Sequence, residues 1–107
     1  MWVNMTFAKV SEAYEKEGLP VLYSQQNMQV MTNAKGFIAG YALYKYGDHT
    51  RGCSLSMWES REEAEAFFAS PEYLAMVGGV RQYFLEIPDR QSYELALDMS
   101  KVAMGEA

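Results

Sequence analysis

Residues 37–58, FIAGYALYKYGDHTRGCSLSMW, carry the pattern that decides the fold of this chain. Residues 37–46 are rich in β-branched and aromatic side chains, which favour a strand. GDHTRG at residues 47–52 supplies turn chemistry and includes the chain's only histidine, His49. The residues that follow alternate between two sets, Cys53, Leu55 and Met57 on one side and Ser54, Ser56 and Trp58 on the other. The stretch therefore predicts a β-hairpin with His49 in its turn.

A capped helix is expected directly after this hairpin. Ser60, followed three residues later by Glu63, forms a capping-box pattern in which two side chains satisfy free amides at a helix start. The helix is therefore expected to begin at about Arg61. A second cap, Ser70 followed by Pro71, indicates that the helix restarts or jogs there.

Strands are expected at both ends of the chain. MWVNMTF at residues 1–7 alternates with the period of a half-buried strand, and SYELAL at residues 92–97 follows a proline stop and predicts the last strand. Between Ser11 and Asn33 the chain is rich in helix-forming residues. Gly18 and Pro20 interrupt that segment, so either one helix ends near Glu17 and a second begins at Pro20, or one helix is kinked there. We favour the break.

The element order is strand, helix, strand, strand, helix, strand. That order predicts a single α+β domain over residues 1–107 with the ferredoxin-like topology, in which both helices cover one face of an antiparallel sheet. The other face would be left bare, and a bare apolar sheet face is usually covered by a second subunit. We therefore expect a homodimer.

Composition excludes several classes of partner. Nine Lys and Arg against fourteen Asp and Glu give a net charge of −5, so no nucleic-acid partner is expected. No apolar run reaches the roughly 20 residues needed to cross a bilayer, and MWVNMTF lacks the features of a signal peptide, so no membrane association and a cytoplasmic location are expected. The chain has one cysteine and no metal-ligand spacing, so no metal is expected.

Polar side chains on two strands suggest a binding site. In a ferredoxin-like sheet the first and third strands are neighbours, which would bring polar faces of those strands together. Either Gly40 with Ala42 or the neighbouring Tyr41 would complete the wall from the second strand. The residues expected to contact a small organic ligand are Asn4, Thr6, Tyr41, Ser54, Ser56 and Trp58.

Two expectations follow from the alternation. We place the polar set on the sheet face opposite the helices, inside a barrel formed by two subunits, with Cys53, Leu55 and Met57 beneath the helices. The alternative is that the serines hydrogen-bond one another and pack against the partner subunit, without forming a cavity.

The sequence also resembles a known family. GFIAGYALYKYGD at residues 36–48, the turn Trp58-Glu59-Ser60, and REEAEAFFASPEY at residues 61–73 are similar to the antibiotic-biosynthesis monooxygenase family of dimeric α+β barrels. The likeness extends over about residues 35–97. It implies the dimeric barrel fold and a monooxygenase activity that needs no cofactor.

The family's functional residues carry over only in part. Members that oxidise aromatic polyketides place an Asn four residues before the Trp and a Tyr six after it, where this chain has Ser54 and Ala64. Their helix Arg falls near Val77, so of that set only Trp58 is retained. The haem-degrading branch has its proximal His at that same position, and valine cannot ligate haem iron. The resemblance therefore implies no haem here.

Two functions are consistent with the sequence. The first is a cofactor-independent monooxygenase of a small aromatic phenol or quinol, whose deprotonated form would be stabilised by donors such as Asn4, Ser54, Ser56 or the Trp58 indole. The second is a noncatalytic dimer that binds a small molecule in the same place. The sequence names neither a catalytic residue nor the substrate.

Overall fold

Four antiparallel strands form one sheet in the computed structural model, which describes residues 1–100. The strands are β1 (Trp2–Lys9), β2 (Phe37–Lys45), β3 (Asp48–Trp58) and β4 (Asp89–Glu94). Their order across the sheet is β2-β3-β1-β4, and every neighbouring pair is antiparallel. This order confirms the ferredoxin-like α+β prediction and the expected contact between the first and third strands.

The helical segments lie between the strands in the order that the sequence predicts. Ahead of β2 come a π-helical turn (Tyr14–Gly18), α1 (Leu19–Leu22) and α2 (Gln25–Thr32). Between β3 and β4 come α3 (Arg61–Phe68), α4 (Pro71–Gly78) and a 3₁₀ turn (Arg81–Tyr83).

The starts of α3 and α4 are confirmed. The Ser60 hydroxyl accepts from the Glu63 backbone N–H at 3.2 Å, and the Ser70 hydroxyl accepts from the Tyr73 N–H at 3.2 Å. The reciprocal half of the capping box is not formed. The Glu63 carboxylate lies instead against Gly36, where a side chain would overlap it, and its buried Oε2 has no hydrogen-bond partner within the described part of the chain.

The break in the first helical region lies later than expected. Gly18 keeps helical dihedrals, and Pro20 lies in the first turn of α1, where its missing N–H is not needed. The chain leaves the helix at Tyr23 and restarts at Ser24, whose hydroxyl accepts from the Asn27 N–H at 3.2 Å. The Asn27 amide also donates to the carbonyls of residues 21 and 22, at 3.0 and 3.1 Å. The expectation of a break at residues 18–20 was therefore wrong.

The hairpin turn is shorter than predicted. β3 already begins at Asp48, so only Tyr46 and Gly47 connect it to β2, and Gly47 takes a φ of 84° that favours glycine. His49 therefore lies on a strand rather than in a turn. Its ring stacks on Tyr44 with centroids 4.4 Å apart, and its Nδ1 is 3.1 Å from Glu15 Oε1.

The helices cover the sheet face that carries Trp58. This side chain is fully buried, with ring centroids 5.2 Å from Phe67 and 5.9 Å from Phe68 of α3. Directly paired residues of antiparallel strands share a face. The pairs on this face include Trp2 with Trp58, Asn4 with Ser56, and Thr6 with Ser54.

The face assignment made from the sequence was therefore the reverse of the observed one. The polar set lies beneath the helices, and Cys53, Leu55 and Met57 lie on the other face, which we call the open face. Alternation along a strand separates two faces but does not say which of them a helix covers. Here the helices cover the face of Trp58, because the aromatic side chains of α3 pack on that residue.

Candidate functional site

The structure brings five of the six predicted ligand-binding residues onto one face. Asn4, Thr6, Ser54, Ser56 and Trp58 share the helix-covered face of β1 and β3.

Tyr41 is separated from the other five. It pairs with Leu55, so it lies on the open face, where it is 59% exposed. Gly40 and Ala42, which pair with Ser56 and Ser54, are the residues of β2 on the helix side. Of the two alternatives for the second strand, the structure favours the small residues.

Three of these residues are part of the core. Asn4, Ser56 and Trp58 are only 3%, 2% and 0% exposed. The Trp58 indole N–H donates to the Ser56 hydroxyl at 2.9 Å, and the Ser92 hydroxyl donates to Asn4 Oδ1 at 2.6 Å. These groups are paired within the protein rather than with a ligand. The alternative expectation, that the serines bond one another and pack against the partner subunit, differs from the structure, in which Ser56 accepts from Trp58 beneath the helices.

Trp58 anchors the aromatic core. Its ring meets Phe37 of β2 edge to face, with centroids 5.5 Å apart, in addition to its contacts with α3. Such edge-to-face pairs stabilise a core beyond the area they bury. Because its N–H is already bonded to Ser56, the indole is a structural group in this arrangement.

The other part of the face remains accessible. Thr6 and Ser54 are half-buried, and the small residues Gly40 and Ala42 beside them are exposed. Two larger polar side chains from the helices and one from β4 approach this region. We call this group the helix-side cleft and define it by Thr6, Tyr23, Ser54, Tyr73 and Arg90.

Tyr23 enters the cleft from the break between α1 and α2. Burial raises the pKa of its phenol, and hydrogen bonding with Ser54 opposes that rise in part. The nearby Tyr73 phenol raises the pKa further. Tyr23 therefore stays protonated at neutral pH and acts as a hydrogen-bond donor rather than a base.

Arg90 reaches the cleft from β4, where it pairs with Thr6. Its Nη2 donates to the Tyr73 hydroxyl at 2.8 Å, and its Nε donates to Thr6 Oγ1 at 3.4 Å. The guanidinium carbon also lies 3.9 Å from the centroid of the Phe68 ring. These contacts fix a positive charge beside the neutral cleft residues.

The sequence pattern predicted no role for Tyr23 or Arg90. Tyr23 was hidden because the helix break was placed too early, although Ser24 with Asn27 three residues later is a recognisable cap. Arg90 lies on β4, whereas the family resemblance indicated an arginine on a helix near Val77. The pairing of β4 with β1 brings a different arginine to the same face.

Two further clefts lie elsewhere on the molecule. One, of about 470 Å³, is at an end of the sheet and is lined by residues that include Phe7, Leu43 and Cys53. Burial raises the pKa of the Cys53 thiol, as expected for an inert cysteine. The other, of about 510 Å³, is lined by residues that include Val30 and Phe67. Neither is lined by Tyr23, Ser54 or Arg90.

Within residues 1–100, no three His, Cys, Asp or Glu side chains come together as a metal site would require. No helix in that same range is long and apolar enough to cross a membrane.

Comparison with known proteins identifies the family. Residues 1–79 match the family model described as antibiotic biosynthesis monooxygenase. Among curated proteins, none gives a significant sequence match.

Solved structures match nearly the whole fold. A candidate antibiotic biosynthesis monooxygenase from Nitrosomonas europaea superposes with a TM-score of 0.77 at 20% identity, covering 91% of this chain and 100% of that one. A variant of SnoaB, a cofactor-independent oxygenase from Streptomyces nogalater, gives 0.76 at 10% identity, with 92% and 95% covered. A Deinococcus radiodurans candidate of the same family gives 0.78 at 10% identity, with 92% and 95% covered. At these identities the likeness establishes the fold.

Proposed function

This chain belongs to the antibiotic biosynthesis monooxygenase family, and we propose that it is a cofactor-independent monooxygenase of a small aromatic phenol or quinol. The observation that carries the proposal is the helix-side cleft, in which Thr6 and Ser54 lie side by side on neighbouring strands, next to Arg90 and to the Tyr23 phenol, whose pKa is raised by burial. SnoaB, which has the same fold, is a cofactor-independent oxygenase.

Oxidation of a phenol by O₂ requires little of the protein beyond binding the substrate. A phenol ring that reacts with O₂ loses its hydroxyl hydrogen and one ring hydrogen, gains one oxygen atom as a second carbonyl, and releases the other oxygen atom as water. The substrate supplies all the electrons. What the protein contributes is stabilisation of the phenolate, which is the electron-rich form, by hydrogen-bond donors already held in place.

Tyr23 is the donor best suited to that role. Its phenol is neutral and partly desolvated, so its O–H can donate to a phenolate without first giving up a proton. Ser54 beside it is a second candidate donor. We therefore move the stabilising role from Asn4, Ser56 and the Trp58 indole, which are bonded within the core, to these two residues.

The test is O₂ consumption by the purified protein with a panel of naphthols, naphthalenediols and anthrones. We expect turnover with at least one of them, and a loss of about a hundredfold in Tyr23→Phe, the usual effect of removing one oxyanion donor. Tyr46→Phe is the matched control, because Tyr46 is fully exposed at the hairpin turn and should have no effect.

A second candidate function is binding without turnover. The observation that favours it is the pair Ser54 and Ala64 at the positions where polyketide-oxidising members of the family have Asn and Tyr. Binding of a panel compound with no O₂ consumption above the protein-free rate would support this function and contradict the monooxygenase.

Two further properties belong to the proposal. We expect a homodimer joined through the open face, where Phe7, Tyr41 and Leu43 are 40%, 59% and 48% exposed. The cytoplasmic location expected from the sequence stays a prediction.

A further inference from the structure

We infer that the ligand of the helix-side cleft is an aromatic hydroxy acid, whose carboxylate pairs with Arg90 while its phenol oxygen lies near Ser54 and Tyr23. The inference rests on the proposed site and narrows its substrate class. It depends on how Arg90 is held, on the charges around it, and on the row of residues that crosses the sheet beside it.

Arg90 is held in place while most of its donors remain unused. Its Nε–H is directed to Thr6 and one Nη2 hydrogen to the Tyr73 hydroxyl, and its plane lies over Phe68. A guanidinium has five N–H donors, so three remain. The Tyr73 hydroxyl accepts from Arg90 and keeps its own hydrogen to donate. Arg90 is exposed, so these remaining donors are accessible to a ligand.

The charge on Arg90 is not neutralised by its neighbours. Arg51 has the Asp48 carboxylate at 3.7 Å, and Arg61 has the Glu65 carboxylate at 2.7 Å. No carboxylate of residues 1–100 forms such a pair with Arg90. Asp89, next to it on β4, pairs with Phe7 and so belongs to the open face. In a chain of net charge −5, an arginine that has no acidic partner among residues 1–100 is suited to bind an external anion.

The neighbouring residues form a row that fits an elongated ligand. Arg90, Thr6, Ser54 and Ala42 are successive cross-strand partners on the helix-covered face of β4, β1, β3 and β2. Neighbouring strands lie about 4.8 Å apart, so the strand of Arg90 and the strand of Ser54 are separated by about 10 Å. The Arg90 backbone is at one end of this distance and its guanidinium reaches Thr6 on the strand between, while the Ser54–Tyr23 donors are at the other end, which suits an aromatic ligand with a carboxylate and a hydroxyl at opposite ends.

The test compares 6-hydroxy-2-naphthoate with its methyl ester. The two probes share the ring and the hydroxyl and differ in the negative charge. Binding is measured by fluorescence titration of the full chain under nitrogen, so that turnover cannot interfere. We expect the acid to bind at least about tenfold more tightly than the ester at low salt, since a charge-assisted pair is worth that much.

The variants show whether Arg90 is responsible. Arg90→Gln should reduce the affinity for the acid to that for the ester and leave the ester unchanged, whereas Arg90→Lys should keep part of the preference. Arg81→Gln, a change of an exposed arginine in the 3₁₀ turn, should alter neither. An unchanged affinity of Arg90→Gln for the ester also shows that this variant is folded.

The outcomes separate this inference from the proposed function. An Arg90-dependent preference for the acid supports the inference even if no panel compound consumes O₂. Equal affinity for acid and ester, binding of neither probe, or a preference that persists in Arg90→Gln overturns it, even if the protein oxidises other phenols.

Discussion

Ser56 shows how one hydroxyl can be mistaken for part of a ligand site. A serine alternating with large apolar residues on a strand suggests a polar wall, yet Ser56 is buried with its hydroxyl accepting from the Trp58 indole. The indole N–H is fully enclosed, so it needs a partner, and a serine two residues before it on the same face supplies one. The hydroxyl is present because of the tryptophan.

This interpretation predicts the effect of Ser56→Ala. The change leaves the Trp58 N–H buried without an acceptor, so the free energy of unfolding should fall by about 1–3 kcal/mol. Urea denaturation followed by tryptophan fluorescence measures it. Ser54→Ala is the control, because Ser54 is half-buried and not bonded to the indole, and it should cost less. A smaller loss in Ser56→Ala than in Ser54→Ala would contradict the assignment.

The raised pKa of Tyr23 predicts how stability and tyrosinate absorbance depend on pH. Burial raises the pKa of its phenol, so folding favours the protonated form. This contribution to stability is fully present below the unfolded pKa of about 10 and is lost as the pH rises through the folded pKa. The difference in tyrosinate absorbance between wild type and Tyr23→Phe should therefore show a step above pH 10. A step at or below the ordinary value would mean that the phenol is solvated and outside the cleft.

At the scale of the elements, the break between α1 and α2 positions Tyr23. The helical region turns at that residue, and Ser24 begins the next helix with a side-chain cap. The Asn27 amide then bonds back to the two carbonyls at the end of α1. These bonds fix the angle between two short helices, so they also fix the direction from which the Tyr23 phenol approaches the sheet.

Ser24→Ala tests this coupling. Loss of the cap should cost about 1 kcal/mol of stability and weaken binding of 6-hydroxy-2-naphthoate several-fold, because the Tyr23 ring is no longer held. Ser60→Ala removes an equivalent cap from α3, which carries no residue of the helix-side cleft. It should cost similar stability and leave the affinity unchanged. Equal effects of the two variants on binding would show that the break has no special role.

The contrast between these helices also shows which elements the sequence can predict. Ser60 and Ser70 directly precede α3 and α4, and apart from Pro71, at the first position of α4, no helix-breaking residue lies near either cap. The starts of both helices were therefore predicted correctly. In the first helical region Gly18 and Pro20 gave a stronger apparent signal than Ser24. Proline is tolerated in a first helical turn, and glycine can keep helical dihedrals, so neither had to break the helix.

On the scale of the whole molecule, the sequence predicted the strand order but not which face the helices cover. The element order was sufficient for the topology, since few connections are allowed between four antiparallel strands. The two faces of the sheet are both apolar in part, so composition alone did not distinguish them. The covered face is determined by tertiary contacts, such as Trp58 with Phe67 and Arg90 with Tyr73, which form only in the folded chain.

The corrected assignment strengthens the case for a dimer. The open face carries apolar residues from all four strands, including Met5, Leu43, Leu55 and Tyr93. Leu43 and Tyr93 are 48% and 47% exposed. Soluble monomers seldom leave a contiguous apolar sheet face in water. A second copy would cover the same residues with its own open face, as a two-fold interface requires.

Sedimentation of the chain at micromolar concentration should therefore report about twice the 12.2 kDa chain mass. Leu43→Glu places a charge on the open face, in the edge strand β2, where burial against a partner would be costly, and should shift the protein to monomer. Leu74→Glu is the matched control, because Leu74 is 54% exposed on α4, which packs against the other face of the sheet. It should leave the dimer intact. A wild-type protein that sediments as a monomer contradicts the dimer but not the helix-side cleft, since all five residues that define the cleft belong to one chain.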